Sequence, residues 1–536
     1  MQTTPINETR YKPVLRPSAV NNKPNTKTGS DSSDTQATTA HFSGSALLLF
    51  GRGLSLVLNL VVHVLVVRYL SKLEYGAFAY ALAIVSICSS VIVFGLDKAA
   101  SRFFPIYEER AQYEQLSGAI VLTFSTVSGI GIAVVLAVLA AADPLSEHVV
   151  NDPLSLTLLL LLIAMAPMTA IDALLVSMFA AFANPWAIFW RRHVLGPGLK
   201  MVAILLTMAA HESVSFLAVG YLVAAVVGIV VNCVVLYRIL RAKRFLGGVS
   251  LATVRKTARE LYRFSATHLF MNIATLMRGT LAVVILEYFN GATAVAEFRS
   301  VLPLARLNEV VLVSFSFLFV PLASRRYARR DSDKIAELYW QSTTWVAALS
   351  FPLFLASFCF SEPLTSLLFG DRYESSAMVL KYLAVGFFVF TLFGFANRVL
   401  SVYGKLRHLV AGDVIAILVA VFLYWLLVPS HGALGAAIGA SVAMIVHALV
   451  NQALLYQVAG VRFFRARYTT LYALIGIISF VLYQLQSAYS IGLAAGAPIV
   501  LFTWLLFLVL NRRLLDFGNT FPGLRRLLMF KVNLRS

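Results

Sequence analysis

Between Phe42 and Arg513 the chain runs through about fourteen apolar stretches, each long enough to cross the roughly 30 Å hydrocarbon core of a bilayer as a helix. With no water in that core, every backbone N–H and C=O has to be satisfied within its own segment, so helices are the expected form. Lys and Arg gather in every second gap. One such gap holds Lys98, Arg102 and Arg110, the next Arg191 and Arg192, and later ones Arg238 to Arg259, Arg325 to Lys334, Lys405 with Arg407, and Arg462 to Arg467. The gaps between are poor in cations: residues 141–153 carry Asp143, Glu147 and Asp152 and no Lys or Arg. Cations are retained on the cytoplasmic side. The pattern therefore predicts a polytopic membrane protein with both termini in the cytoplasm. Lys72 and Arg372 are the main exceptions to the alternation.

The composition agrees. The chain is 59% hydrophobic and 13% charged, about half the charge of an average soluble domain, which excludes a large soluble enzyme. Its net charge of +19 sits in short loops between spans, so membrane orientation accounts for it and no nucleic-acid partner is expected. Cys88, Cys233 and Cys359 all lie in apolar stretches, with no CxxC and no Cys/His cluster, and read as reduced buried thiols rather than a metal centre. GxxxxGK[ST], HExxH and GxSxG are absent. The longest hydrophilic stretch between spans, 240–263, is too short for a catalytic domain. A non-enzymatic membrane transporter with no cofactor is the expectation.

The predicted fold class is an all-α polytopic membrane protein, two six-helix bundles plus a C-terminal helix pair. Residues 1–41 are polar and read as a disordered cytoplasmic tail. Residues 42–239 read as the first bundle, 240–263 as a basic cytoplasmic linker, 264–457 as the second bundle, 458–513 as the extra pair and 514–536 as a second tail. An internal repeat underlies the two bundles. Arg263-Phe264-Ser265 matches His41-Phe42-Ser43, Met277-Arg278-Gly279 matches Gly51-Arg52-Gly53, and Val320-Pro321 matches Phe104-Pro105. His211 and His431 begin corresponding spans, and the offsets cluster at about 220 residues. An even number of spans per half makes the halves enter from the same side, related by an axis along the membrane normal. A cleft is expected between them.

Four motifs then carry a family resemblance. Ser71-Lys72-Leu73-Glu74-Tyr75-Gly76 resembles the Glu-Tyr-Gly turn of polysaccharide exporters. Gly95-Leu96-Asp97 with Arg102-Phe103-Phe104-Pro105 resembles their motif at the end of the second span. Leu367-Leu368-Phe369-Gly370 with Tyr373 resembles their Leu-Phe-Gly loop after the ninth, and His431-Gly432-Ala433-Leu434-Gly435-Ala436-Ala437 their Gly-Ala turn into the twelfth. In order and spacing, over residues 42 to about 460, these resemble the multidrug/oligosaccharidyl-lipid/polysaccharide (MOP) exporter superfamily, most of all its Wzx-type lipid-linked oligosaccharide flippases. Ala296-Glu297-Phe298 departs from the Gly-Tyr often found there.

The resemblance implies a flippase of the bacterial inner membrane that moves a polyprenyl-pyrophosphate glycan outward for lipopolysaccharide or exopolysaccharide synthesis. It would work among membrane lipids beside a polysaccharide polymerase and glycosyltransferases. It also implies a cationic central cavity that receives the lipid pyrophosphate.

An ionisable group at the bilayer centre costs at least about 2.5–3.5 kcal/mol, so the intramembrane charges must face protein, water or substrate. The cations are Arg52, Lys200, Arg278, Arg299, Arg306 and Arg398, and the acids Asp172, Glu309 and Asp413. A surplus of cations suits an anionic ligand, and guanidinium forks match phosphate oxygens. Arg52 and Arg278, each beside a glycine in its half, are the leading substrate-binding candidates, followed by Arg306, Arg299, Lys200 and Arg398. Structural roles compete. Arg306 has Glu309 at i, i+3, Asp172 can pair with Lys200, and Arg398 can snorkel to the cytoplasmic surface. The acids are alternatively coupling groups. His63, His268 and His447 read as buried hydrogen-bonded histidines or as proton relays. A cation-coupled multidrug exporter, which would want carboxylates in the cavity, and a lipid II flippase are the alternatives within the superfamily. A membrane glycan polymerase is a more distant one, since no long loop carries catalytic residues.

Overall fold

The computed structural model describes residues 31–515 apart from 149, 183–185, 187–188, 243–250 and 463–464, and among these it contains helices and no strand. The helices are α1 (Asp31–Tyr69), α2 (Lys72–Val93), α3 (Leu96–Glu109), α4 (Tyr113–Ala140), α5 (Ala142–His148), α6 (Pro153–Leu162) and α7 (Met165–Ala181), then a π-helical turn (Phe189–Leu195) leading into α8 (Gly196–Ala209). There follow α9 (Val214–Ala242), α10 (Leu251–Ala328), α11 (Ser332–Cys359), α12 (Ser361–Phe369), α13 (Ser376–Val402), α14 (Leu406–Ala459), α15 (Ala466–Tyr489), α16 (Leu493–Leu510) and α17 (Arg512–Leu515).

Among the described residues ten helices are long and apolar enough to cross a membrane, or eleven when α6 and α7, bent by 45°, are counted as one broken span. Two of the ten are too long for one crossing. α10 has 78 residues, about 117 Å at 1.5 Å per residue, and it is broken at Gly291 (φ 72°, ψ −176°). α14 has 54 residues and is broken at Gly432 (φ 52°, ψ −131°). Both values lie where a Cβ is strained, so glycine is the residue that lets the chain turn there. The breaks leave arms 251–290 and 292–328 in α10, and 406–431 and 433–459 in α14.

Two expected boundaries shift. α1 begins at Asp31, so the helix reaches back into the segment read as a polar tail. Residues 251–263, read as linker, are helical. The reason is packing: Leu261 is fully buried, and the Tyr262 and Phe264 rings meet Phe94 and Phe103 at 6.3 and 5.5 Å. Residues 1–30, most of the rest of the linker, and 516–536 lie outside the described residues.

The first arm of α10 therefore lies along α2, α3 and α4. At its far end the Asn151 amide donates to the Tyr288 carbonyl (2.6 Å). The largest apolar core is accordingly shared: it runs from Val66 and Phe78 through Leu174 to Leu286, Phe298, Tyr373 and Tyr424. Two smaller cores lie within α10–α17. α15 and α16 dock on α11, where the Trp340 and Tyr468 rings stack at 5.1 Å and the Trp504 indole donates to the Ala348 carbonyl at 2.8 Å. Apolar side chains left exposed, such as Ile132, Val230, Phe480 and Phe502, form the surface expected against lipid tails.

Candidate functional site

Three of the four motifs converge on one end of the molecule, the end that holds Gly291, whereas Gly95 of the fourth packs against Ser265 near the other end of arm 251–290. Ser71 caps α2, its hydroxyl accepting from the Glu74 N–H while the Glu74 carboxylate accepts from the Ser71 N–H. Two residues on, Gly76 lies so close to the second half that a Cβ would stand 1.8 Å from the Ala292 carbonyl oxygen. Tyr75 is buried edge-on to the His63 ring at 5.9 Å, and Phe369 meets the same imidazole at 5.9 Å. Gly370 (φ 84°) turns the chain after α12. Thus the Glu-Tyr-Gly and Leu-Phe-Gly segments, some three hundred residues apart, are two sides of one joint.

Cations clasp that joint. Lys72 pairs with Glu297 at 3.0 Å, and the Ser375 hydroxyl donates to the same carboxylate at 2.7 Å. Arg372 donates to the carbonyls of Val67 (2.5 Å) and Arg68 (2.6 Å) at the end of α1. Arg68 donates in return to the carbonyls of Leu367 and Leu368. Lys72 and Arg372, the two cations that broke the charge alternation, are thereby explained: each fastens the first half to the second. Glu297, a small departure in the sequence, is the acid that receives Lys72.

From this closed end a line of arginines runs down the seam. Residues 299, 306 and 317 lie within about 20° of one another around arm 292–328 at 100° per residue. At the top Arg299 is mostly buried, close to Tyr75 and His63 of the first half and to Arg306 below it. Arg306 rests its guanidinium on bare backbone, since a Cβ on Gly279 would stand 3.1 Å from Nη2. At the bottom Phe317 lies under Arg52 of α1, with the guanidinium carbon 5.6 Å from the ring centroid. The stripe from 299 to 317 rises about 27 Å, close to the thickness of a bilayer core. Arg192 and His193 join Arg52, and His193 Nδ1 lies 2.9 Å from Ser55 Oγ. Among the described residues no carboxylate lies within ion-pair distance of Arg52, Arg192, Arg299 or Arg306.

The remaining candidates fall elsewhere. Asp172 does not take Lys200 as its partner. It holds Arg191 (2.7 Å) and the Asn232 amide (3.1 Å). Arg191, assigned by sequence to a loop, is folded inward, its side chain 13% exposed and packed against Gly196 and Gly228. The cause is the π-helical turn at Phe189–Leu195: the extra residue per turn re-aims the side chains and continues the helix where the sequence suggested a gap. Lys200 lies over the Tyr221 ring at 5.6 Å, within the field of Arg191 and Asp172. Arg398 faces Glu309. Asp413 is buried in the second half against His447 (2.9 Å), which Asn451 also contacts at 3.0 Å. His63 lies 2.7 Å from the Ser300 carbonyl and the His268 ring lies tilted 4.6 Å from that of Phe264, so the histidines are buried or partly buried and engaged. The side chain of Arg278 lies outside the described residues, although its backbone belongs to arm 251–290.

Comparison with known sequences decides the family. The sequence family described as "Polysaccharide biosynthesis protein" matches residues 42–326, more than half of the chain, and the MatE family matches residues 268–426. The chain belongs to the polysaccharide biosynthesis protein family of the MOP superfamily. As such it is a multi-pass membrane transporter. An uncharacterised membrane protein of Methanocaldococcus jannaschii, MJ1068, is 24% identical over 400 residues, which cover 70% of this chain and 76% of the relative. Solved structures share the fold. The lipid II flippase MurJ, in an inward closed conformation, superposes with a TM-score of 0.70 at 14% identity over 88% of this chain and 100% of its own. An inward-facing multidrug resistance MATE family transporter gives 0.65 at 16% identity over 76% and 94%. A MOP superfamily transporter from Pyrococcus furiosus with a binding pocket of reverse polarity gives 0.53 at 17% identity over 78% and 95%.

Proposed function

We propose that this transporter flips a lipid-pyrophosphate-linked oligosaccharide from the cytoplasmic to the outer leaflet of the bacterial inner membrane for surface polysaccharide synthesis. The observation that carries the reading is the seam of arginines. Arg52 with Arg192 at one end, Arg306 in the middle and Arg299 at the clasped end form a stepwise path for an anionic head group. The sugars would travel between the halves while the polyprenyl tail stays in lipid. Both arms of α10 and of α14 count as crossings in this reading, and with the π-helical turn plus α8 they give about fourteen. Both termini are then cytoplasmic, the Gly291 end faces out, and the clasp is the closed outer gate of an alternating-access cycle. Outward movement of negative charge is favoured by an inside-negative potential, at about 2.3 kcal/mol per charge per 100 mV.

The test is reconstitution in liposomes with a fluorescent polyprenyl-pyrophosphate oligosaccharide and an impermeant quencher. Wild type should flip the probe. Arg52→Ala and Arg306→Ala should lose most of the rate at equal protein content. Arg52→Lys should recover only part of it, because the charge returns without the bidentate fork. Equal flipping of a phosphate-free glycolipid, or uptake of a cationic drug in place of the probe, would sink the reading.

A further inference from the structure

One buried carboxylate at the clasped end has no part in the arginine seam. Glu287 lies one turn before Gly291 on arm 251–290, wholly buried, and neither carboxyl oxygen has a hydrogen-bond partner. Beside it stand Asp152 and Ser155 from the start of α6 and Tyr80 from α2. Asp152 Oδ2 and the Ser155 hydroxyl are likewise buried and unpartnered. None of the groups acting on Glu287 is a cation. The nearest donors are the Ser155 hydroxyl and the Asp152 backbone N–H, both neutral. An ionised carboxylate stripped of water and of any cation still costs several kcal/mol, and a second carboxylate alongside adds repulsion. Either a metal ion or a proton removes that cost. A hard cation calls for about six oxygen ligands, whereas two carboxyls and two hydroxyls gather here. Among the described residues no group of three or more His, Cys, Asp or Glu could hold a metal. A proton needs one acceptor.

We propose that Glu287 is a proton-binding site whose occupancy keeps the outer end of the seam shut. With its proton the carboxyl is neutral, and arm 251–290 seals against α2 and α6. The Asn151 amide completes the seal by donating to the carbonyls of Glu287 (3.4 Å) and Tyr288 (2.6 Å), in the last turn of the arm. When the end opens, the O–H bond breaks, the proton passes to water and the carboxylate becomes hydrated. The anion beside Asp152 then resists reclosure until a proton returns. The link from this proton to substrate movement rests on the proposed transport cycle; the proton site itself does not.

Two measurements on the full chain in lipid nanodiscs test the site without substrate. Infrared spectra at neutral pH should show a protonated-carboxyl stretch that is absent in Glu287→Gln and unchanged when sodium is replaced by choline. A cysteine at buried Ser376, in a chain with Cys88, Cys233 and Cys359 replaced by alanine, should react several-fold faster with an impermeant maleimide at mildly alkaline than at mildly acidic pH. That rise should vanish with Glu287→Gln. If Glu287→Gln fails to fold, Asp152→Asn serves in its place, and the band should persist but move in frequency. A band that survives Glu287→Gln, one that appears only without sodium, or an unchanged pH response of the Ser376 cysteine in Glu287→Gln overturns the proposal. Failure of the liposome flipping assay with these results intact would refute the oligosaccharide substrate and leave the proton site standing.

Discussion

Glu297→Gln isolates the ionic part of the clasp, because the amide keeps the shape of the side chain and an oxygen for the Ser375 hydroxyl. Lys72 and Glu297 stand 3.0 Å apart with side chains 28% and 26% exposed. Coulomb's law at that distance gives about 5.5 kcal/mol at an effective dielectric of 20 and about 1.4 kcal/mol in water. Desolvation and side-chain ordering offset most of it, leaving a net of about 1 kcal/mol for a partly exposed pair. That amounts to about a fivefold shift in the closed-to-open ratio. Spin labels at exposed positions 212 and 367, on the two sides of the joint, report the opening by pulsed electron resonance. Glu297→Gln should raise the long-distance population about fivefold. Adding Lys72→Ala should change it little further, because the interaction is already gone. The exchange of charges, Lys72→Glu with Glu297→Lys, should restore much of the closed population. If Glu297→Gln gives the wild-type distance distribution, the ion pair does not hold the gate and the clasp reasoning fails.

Four further outcomes are expected. Gly76→Ala should prevent full closure, since its Cβ would stand 1.8 Å from the Ala292 carbonyl oxygen; the same spin labels should show a predominantly open joint, and a closed one would contradict the packing. Asp172→Ala should lower stability by about 3 kcal/mol through the uncompensated Arg191 cation, read as a large fall in thermal unfolding temperature, whereas Lys200→Met should cost much less. Gly279→Ala should slow flipping several-fold at normal abundance by displacing the Arg306 guanidinium, and an unchanged rate would place Arg306 outside the path. A reporter fused after Ser536 that responds only to a periplasmic location should stay silent, and a clear signal would refute either the orientation or the even number of crossings.

The apolar stretches and the alternation of cations already implied an all-helical transporter, because a bilayer leaves the backbone few other ways to satisfy its hydrogen bonds. The motifs that form the clasped joint were equally legible. Gly76, Gly370 and Gly432 occupy a close approach or turns that a side chain would obstruct, and such demands leave a mark in local sequence. Partner choice did not leave one. Asp172 was within reach of Lys200 by helical counting, yet a single π-helical turn brought Arg191 inward instead. Lys72 and Arg372 looked like exceptions to a charge rule until Glu297 and the carbonyls at the end of α1 were seen opposite them. Glu287 did not stand out among the intramembrane acids, and only burial against Asp152 and Ser155 gives it a chemistry. Sequence by itself determined what each segment could be, since hydropathy, helical period and glycine placement act over a few residues. Tertiary structure alone decided which charges meet, because those distances depend on how helices hundreds of residues apart pack across one seam.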